Sequence, residues 1–313
     1  MRISCSANED MTKKVLIGGG SGLVGSRLTD LLMNKGYSVS HLSRSKESKS
    51  WVDAIHWDVE KHKLNPKDIE GFDIVINLAG AGIADEPWSD KRKKVIRDSR
   101  VNSNLLLRDT LEQLRVKPSF FVSASAIGFY GLQTTNHLFS EDDPAGSDFL
   151  AKTCIEWESS ADEMTKLGIP TAKVRIGLVL SDEGGALAEM EKPFRWGVGA
   201  PLGNGKQGMP WIHIDDLCGI FIHLIENKMT GVYNGVSPNG VNNRHFSREF
   251  AEVLNRKMIL PAVPGFMIKL MMGDRADLVL KGSLISSRKI QEANYEFEYP
   301  VLKEALYDLY DYS

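Results

Sequence analysis

The sequence predicts a doubly wound, mostly parallel α/β sheet followed by a small, mainly helical C-terminal lobe. Three observations carry this reading. Val15-Leu16-Ile17 is a short apolar run of the kind a buried parallel strand needs, and it leads straight into a glycine-rich turn at residues 18–25. Val24, Leu28, Leu31 and Leu32 follow at helical spacing, and further apolar runs then alternate with helical stretches. From residue 239 the composition turns helical and richer in methionine.

The first turn has a recognisable spacing. Gly20, Gly22 and Gly25 fill Gly-x-Gly-x-x-Gly, and Gly19, Gly22 and Gly25 fill the variant Gly-x-x-Gly-x-x-Gly. Glycines let the backbone come close to a pyrophosphate, and amides opening a helix face it with partial positive charge. The strand before and the helix after are the context that separates this motif from a turn that binds nothing. Gly19, Gly20, Ser21, Gly22, Leu23, Val24 and Gly25 are therefore the candidate dinucleotide contacts.

Gly36 suits a helix C-cap, and residues 37–42 read as the second strand. Where an NAD-selective site places an acid, this chain has Ser43-Arg44-Ser45. A guanidinium flanked by hydroxyls suits a 2′-phosphate, so NADP(H) is the expected cofactor, against the plainer reading of a solvated loop arginine. Residues 55–58 form a third strand ending in Asp58, which either accepts from the adenine amino group or serves its own turn. Residues 71–80 are a fourth strand, where Asn77, Leu78, Ala79 and Gly80 let a cofactor cross the strand end. A charged amphipathic helix or helix pair fills residues 89–114, its lysine cluster at 91–94 a solvated face. Pro118 precedes a fifth strand at 120–125.

This order, with Asn77-Leu78-Ala79-Gly80 and the run Ser123-Ala124-Ser125-Ala126-Ile127-Gly128-Phe129-Tyr130-Gly131, resembles the extended or atypical short-chain dehydrogenase/reductase superfamily. More narrowly it is similar to the "epimerase family" group, whose N-terminal halves are nucleoside-diphosphate-sugar epimerase-like and some of whose members are labelled cell-division-inhibitor-like. Ser99-Arg100 and residues 76–80, 174–180 and 210–216 match that narrower group, and the resemblance runs from residue 13 to the end. It implies a Rossmann-type NADP-binding domain over 13–238 and a substrate-side lobe over 239–313. It also implies a small-molecule substrate, and many relatives are homodimers built through two helices.

Superfamily enzymes use a serine, a tyrosine and a lysine four residues after the tyrosine. Hydride transfer at a carbonyl carbon needs a proton transfer at oxygen, which a tyrosine performs when an ammonium lowers its pKa. Ser125 stands at the family serine and Lys152 at the family lysine, but Asp148 occupies the place of the tyrosine. Three readings stay open. Asp148 acts as acid/base with a pKa raised by burial; Tyr130 supplies the phenol, its other role being a pocket wall; or the site binds cofactor without dehydrogenase chemistry. Ser125 and Lys152 contact cofactor or substrate in all three.

Arg175 sits at the centre of a strand over residues 174–180, so it is paired or meets a ligand, and by analogy Leu178 lies near the nicotinamide. The glycine-rich residues 196–208 read as a long loop that covers substrate. Asp215 or Asp216 is the expected N-cap of a helix over 217–227, and His213 a structural hydrogen-bonder. A short strand at 231–234, a helix over 247–256, a break at 261–264 and an apolar segment at 266–272 follow, with Met267, Met271 and Met272 expected in the core. Residues 295–312 close the chain as a strand and a helix. An epimerase needs several cations for a diphosphate, and Arg195, Arg244, Lys281 and Arg288 are available.

Composition sets the remaining bounds. With 313 residues, 42% hydrophobic, 25% charged and a net charge of -3, the chain supports one large α/β domain with a smaller lobe. The near-neutral balance gives no reason to expect nucleic acid or an anionic membrane as partner, and no apolar run approaches a membrane span. Cys5, Cys154 and Cys218 lack metal-ligand spacing and fit free thiols in a reducing cytoplasm, with no metal site. Residues 1–12 read as a polar, frayed tail without a signal-peptide core, and Met11 as an alternative start. The implied activity is an NADP(H)-dependent oxidoreductase or epimerase-like protein acting on a carbonyl or nucleotide-sugar substrate. The rival is a non-catalytic NADP(H)-binding regulator or scaffold.

Overall fold

Val15 and Ile17 are buried toward one face of a sheet and Leu16 toward the other, the alternation of a strand covered on both sides. The computed structural model describes residues 12–45 and 52–310; the polar tail, Cys5 and Met11 lie outside the described residues. The sheet holds β1 (Lys14–Gly18), β2 (Ser38–Ser43), β3 (Asp53–His56), β4 (Ile74–Asn77), β5 (Phe120–Ala126), β6 (Thr171–Ile176) and β7 (Gly231–Gly235). These seven strands run in the order β7-β6-β5-β4-β1-β2-β3, every pair parallel. The helices are α1 (Leu23–Asn34), α2 (Asp90–Glu112), α3 (Phe149–Lys166), α4 (Gly185–Arg195) and α5 (Ile214–Glu226). Leu28 and Leu32 of α1 join Leu217 and Phe221 of α5 on the Val15 face, while Leu106 and Leu107 of α2 join Ala161 and Met164 of α3 on the Leu16 face. The strand order reverses between β1 and β4, where Gly18 pairs with Asn77, and this switch point opens the ligand crevice of such sheets.

A second core joins the lobe to a segment that precedes residue 238 in the chain. Leu180, Leu187, Phe194 and Trp211 pack with Phe246, Phe250, Leu302 and Leu306, so residues 178–213 belong partly to the lobe before α5 and β7 return to the sheet. Gly177 makes the departure: a Cβ there would lie 2.4 Å from the Pro210 carbonyl oxygen. The loop at 196–208 is stitched to the lobe through Leu202, whose amide donates to Asn243 Oδ1 at 2.7 Å, and through the amides of Gly203 and Gly208, which donate to the carbonyls of Val263 and Gly282.

Other expectations change as well. Neither Asp215 nor Asp216 caps α5; His213 does, its Nδ1 accepting from the Asp215 amide at 3.2 Å. Asp215 instead grips Arg27 of α1 with both oxygens, at 2.5 and 2.8 Å. The buried Asp216 accepts from the Tyr295 hydroxyl and from the amides of Glu298 and Tyr299. Amides held by a side chain are withdrawn from a ladder, so residues 295–300 form no strand and only the final helix Leu302–Tyr310 remains. The helix expected at 247–256 starts earlier, as α6 (Asn243–Val253), because Asn242 caps it. In α7 (Gly265–Met272) only Ile268 is buried, whereas Met267 and Met271 are exposed rather than core residues. Cys154 and Cys218 are buried free thiols, and burial pushes both upward. Among the described residues no helix is long and apolar enough to cross a membrane, and no cluster of His, Cys, Asp or Glu is arranged to hold a metal ion.

Candidate functional site

The glycine turn is built for close approach. Gly19 has φ 79°, and its carbonyl accepts from the Gly22 amide at 3.1 Å. A Cβ on Gly25 would stand 2.3 Å from the Gly19 oxygen, so the helix start and the turn touch through bare backbone. Gly20 leaves room for the His41 ring from β2, which is bonded to Thr29 Oγ1 at 2.8 Å. Gly22 caps α1 without a side chain, and the first turn carries no acid. The leading amides of α1, on Leu23, Val24 and Gly25, therefore have no intrahelical acceptor and face the crevice beside exposed Ser21.

The β4 turn closes the other side. Asn77 donates to Ser103 Oγ at 2.9 Å and Asn104 Oδ1 at 2.7 Å, and its own oxygen accepts from the Ala79 amide. This pins Leu78 and Ala79 against Gly19, where a Cβ would lie 2.9 Å from the Ala79 nitrogen. Gly80 is exposed just beyond. At the end of β2, Ser43 Oγ accepts from the Ser45 amide, while exposed Arg44 has no ion-pair partner among the described residues. At the end of the sheet, Asp58 accepts from the Lys61 amide at 2.9 Å and pairs with the Lys61 ammonium.

The catalytic candidates are divided rather than gathered. Ser125 is buried, and its hydroxyl donates to Glu158 Oε1 at 2.7 Å. Strand alternation turns residue 125 inward, toward α3, and leaves half-buried Ala126 at the strand's end. Tyr130 is also buried: its hydroxyl donates to Asn234 Oδ1 at 2.7 Å and accepts from Arg175 Nη1 at 3.0 Å, and burial pushes the phenol up to about 12. Both residues therefore belong to an internal network, with their hydroxyls engaged by Glu158, Asn234 and Arg175. Asp148 stands at the start of α3. It caps α3, accepting from the Ala151 amide at 3.0 Å and from the Leu132 amide at 2.5 Å. Lys152 stays exposed on the first turn of α3 with no carboxylate in ion-pair range among the described residues.

Glu158 is the residue that sequence reasoning missed. Arg175 meets it through Nε at 2.8 Å and Nη2 at 3.0 Å, and the guanidinium lies 3.4 Å from the Phe129 ring centroid. Burial pulls Arg175 down, and the bond and charge of Glu158 outweigh it and leave it raised. A signal existed: Glu158 falls on the apolar face of α3 with Cys154, Trp157 and Ala161, so two misplaced charges could have announced each other.

A cleft of about 320 Å³ separates the sheet domain from the lobe, with Trp88, Lys93 and Phe149 facing Lys269, Gly273 and Asp274. Across it, Arg275 of the lobe donates to the Ala84 carbonyl at 2.6 Å. The cations proposed for a diphosphate are not brought to it. Arg195 pairs with Glu191, Lys281 with Asp277 and Arg288 with Glu292, while Arg244 donates to the Asn204 carbonyl.

Comparison with known proteins agrees with this architecture. Residues 15–236 match the model of the NAD dependent epimerase/dehydratase family, and residues 263–309 match a domain of unknown function, DUF1731. The chain is 34% identical over 311 residues to the "Epimerase family protein SDR39U1 homolog, chloroplastic" of Arabidopsis thaliana, covering 97% of this chain and 88% of that relative. It is 32% identical over 301 residues to human "Epimerase family protein SDR39U1", covering 95% and 99%. The crystal structure of the human protein (isoform2) with NADPH is similar at a TM-score of 0.86 and 32% identity, covering 96% of this chain and 100% of that one. A nucleoside-diphosphate sugar epimerase from Corynebacterium glutamicum has a TM-score of 0.79 at 26% identity, covering 96% and 59%. With its Rossmann-type sheet, its glycine turn and this match over most of its length, the chain belongs to the NAD dependent epimerase/dehydratase family.

Proposed function

We propose that the chain binds NADP(H) across the carboxyl ends of β1, β2 and β4 and transfers hydride to or from a small carbonyl compound held in the cleft. The observation that carries the cofactor is the uncapped, acid-free start of α1 beneath a turn where no Cβ fits at Gly25. The α1 amides hold the pyrophosphate, and Arg44, which stands where an NAD site has an acid and has no ion-pair partner among the described residues, holds the 2′-phosphate. Bound nicotinamide supplies the hydride chemistry. With Ser125 and Tyr130 internal, Lys152 is the exposed group at the start of α3 left to move a proton at the carbonyl oxygen. The dispersal of Arg195, Arg244, Lys281 and Arg288 favours a small carbonyl over a nucleotide sugar.

NADPH is expected to bind far more tightly than NADH, and Arg44→Asp to lower NADPH affinity about 100-fold by replacing a charge-assisted fork with a repelling acid. Nicotinamide fluorescence titration reads both, and equal affinities in parent and variant would remove Arg44 from the site. A non-catalytic NADP(H)-binding role is the second reading, favoured by Asp148 serving as a helix cap where the superfamily pattern has its tyrosine. Consumption of NADPH with a panel of aldehydes and ketones separates the two. The enzyme reading expects turnover that Lys152→Met abolishes and Tyr130→Phe retains; tight NADPH binding without turnover selects the scaffold.

A further inference from the structure

On the α2–α3 side of the crevice stands a guanidinium without an ion-pair partner among the described residues. Arg100 Nη1 donates to the carbonyls of Ala81 and Ile96, each at 2.9 Å, and its Cζ lies 5.0 Å from the Trp157 ring centroid. A Cβ on exposed Gly80 would come within 3.0 Å of that Cζ, so the side chain sits at the crevice edge. Its Nε and Nη2 have no protein partner among the described residues. The nearby acids are engaged elsewhere: Glu158 by Arg175, Asp148 by the Ala151 and Leu132 amides, and Asp85 and Glu86 by Arg92. Burial holds Arg100 below its ordinary value, and Arg92 pushes the same way against the Cys154 thiol. A half-buried fork of this kind is stabilised when an anionic oxygen group completes it. Lys93 and Lys152 also lack a carboxylate in ion-pair range among the described residues, which adds positive potential to the same side.

We infer that Arg100 reads an anion: its free Nε and Nη2 edge takes a carboxylate or phosphate group of the substrate, which makes the substrate an anionic carbonyl compound. The inference rests on the proposed NADP(H) crevice. Two sources share this chemistry, the substrate and the cofactor's own phosphates. The cofactor's pyrophosphate is assigned to the free amides at the start of α1, which leaves the Arg100 edge to the substrate, and NADPH affinity in the Arg100 variants separates the two sources.

The test is calorimetric titration of the NADPH-loaded protein with oxalate and with inorganic phosphate, repeated on the cofactor-free protein. Oxalate is expected to bind the parent, to weaken at least about tenfold in Arg100→Gln, and to fall between the two in Arg100→Lys, which keeps the charge but loses the fork. NADPH affinity is expected to stay within about twofold in both variants. Arg100→Lys also guards against misfolding of the glutamine variant, and a thermal melt checks each. Oxalate affinity equal in parent and variants, or no anion binding to the parent, overturns the inference. If NADPH weakens in Arg100→Gln while oxalate does not, Arg100 serves the cofactor and the substrate assignment falls. If the parent fails to bind NADPH, the crevice reading falls instead, and the cofactor-free arm still decides whether Arg100 holds an anion.

Discussion

Glu158→Gln is expected to destabilise the protein by about 3–5 kcal/mol, the cost of leaving one partner of a buried ion pair without its counter-charge. The pair is bidentate and both side chains are almost wholly enclosed, with relative exposures of 4% for Arg175 and 8% for Glu158. The glutamine keeps the shape but removes the charge, so the guanidinium stays stacked on Phe129 with nothing to neutralise it. Ser125 also loses a charged acceptor. For a chain of this size the change corresponds to a fall of roughly 10 °C in the thermal midpoint. Pairing Glu158→Leu with Arg175→Met should recover most of the loss, because well-packed apolar replacements relieve two desolvation penalties together. Thermal and urea unfolding read both variants. A loss below about 1 kcal/mol in Glu158→Gln would mean that water reaches the pair and that the network does not anchor the β5 turn.

Gly25→Ala is expected to abolish NADPH binding at micromolar cofactor, a loss of about 100-fold or more, since displacing a bound group by an ångström is costly. At an ordinary helix position the same change would stabilise by about 0.5–1 kcal/mol through helix propensity. Here the new Cβ would lie 2.3 Å from the Gly19 oxygen and 2.7 Å from the Gly20 Cα. Both are backbone atoms with no rotamer to yield, so the turn must lift off the helix and the amides of α1 lose their common aim. Steric overlap decides the sign over propensity. Gly22→Ala is the control for folding, because its Cβ meets only the Gly19 oxygen at 3.3 Å. Fluorescence titration with a thermal melt checks both; unimpaired NADPH binding in Gly25→Ala would take the pyrophosphate away from this turn.

The legible part of the molecule was that written by neighbours in the chain. Apolar runs, glycine spacing and helical periodicity gave the parallel sheet, the dinucleotide turn and the order of β1 to β5, because each is set by residues a few positions apart. Helix caps were half legible. Ser89, where the expected helix begins, turns out to cap α2, yet His213 and not an aspartate caps α5, because Arg27 and the residue 298–299 amides draw the two acids away. Arg175 at the centre of a strand told that a partner was needed without saying which.

Tertiary structure alone decided the rest. Which way Ser125 points depends on the register of β5 against α3, and a motif match ignores that alternation. Tyr130 meets Asn234 across 104 positions, Asp216 meets the Glu298 amide across 82, and the lobe joins residues 178–213 to a helix that starts at Leu302. Such contacts follow from where packed layers bring distant residues together, and no local spacing records them. By itself, then, the sequence determined the fold class and the cofactor turn, whose physics is local. Only folding decided that the serine and the tyrosine are buried inside a charged network, and that Arg100 is left with an open edge at the crevice.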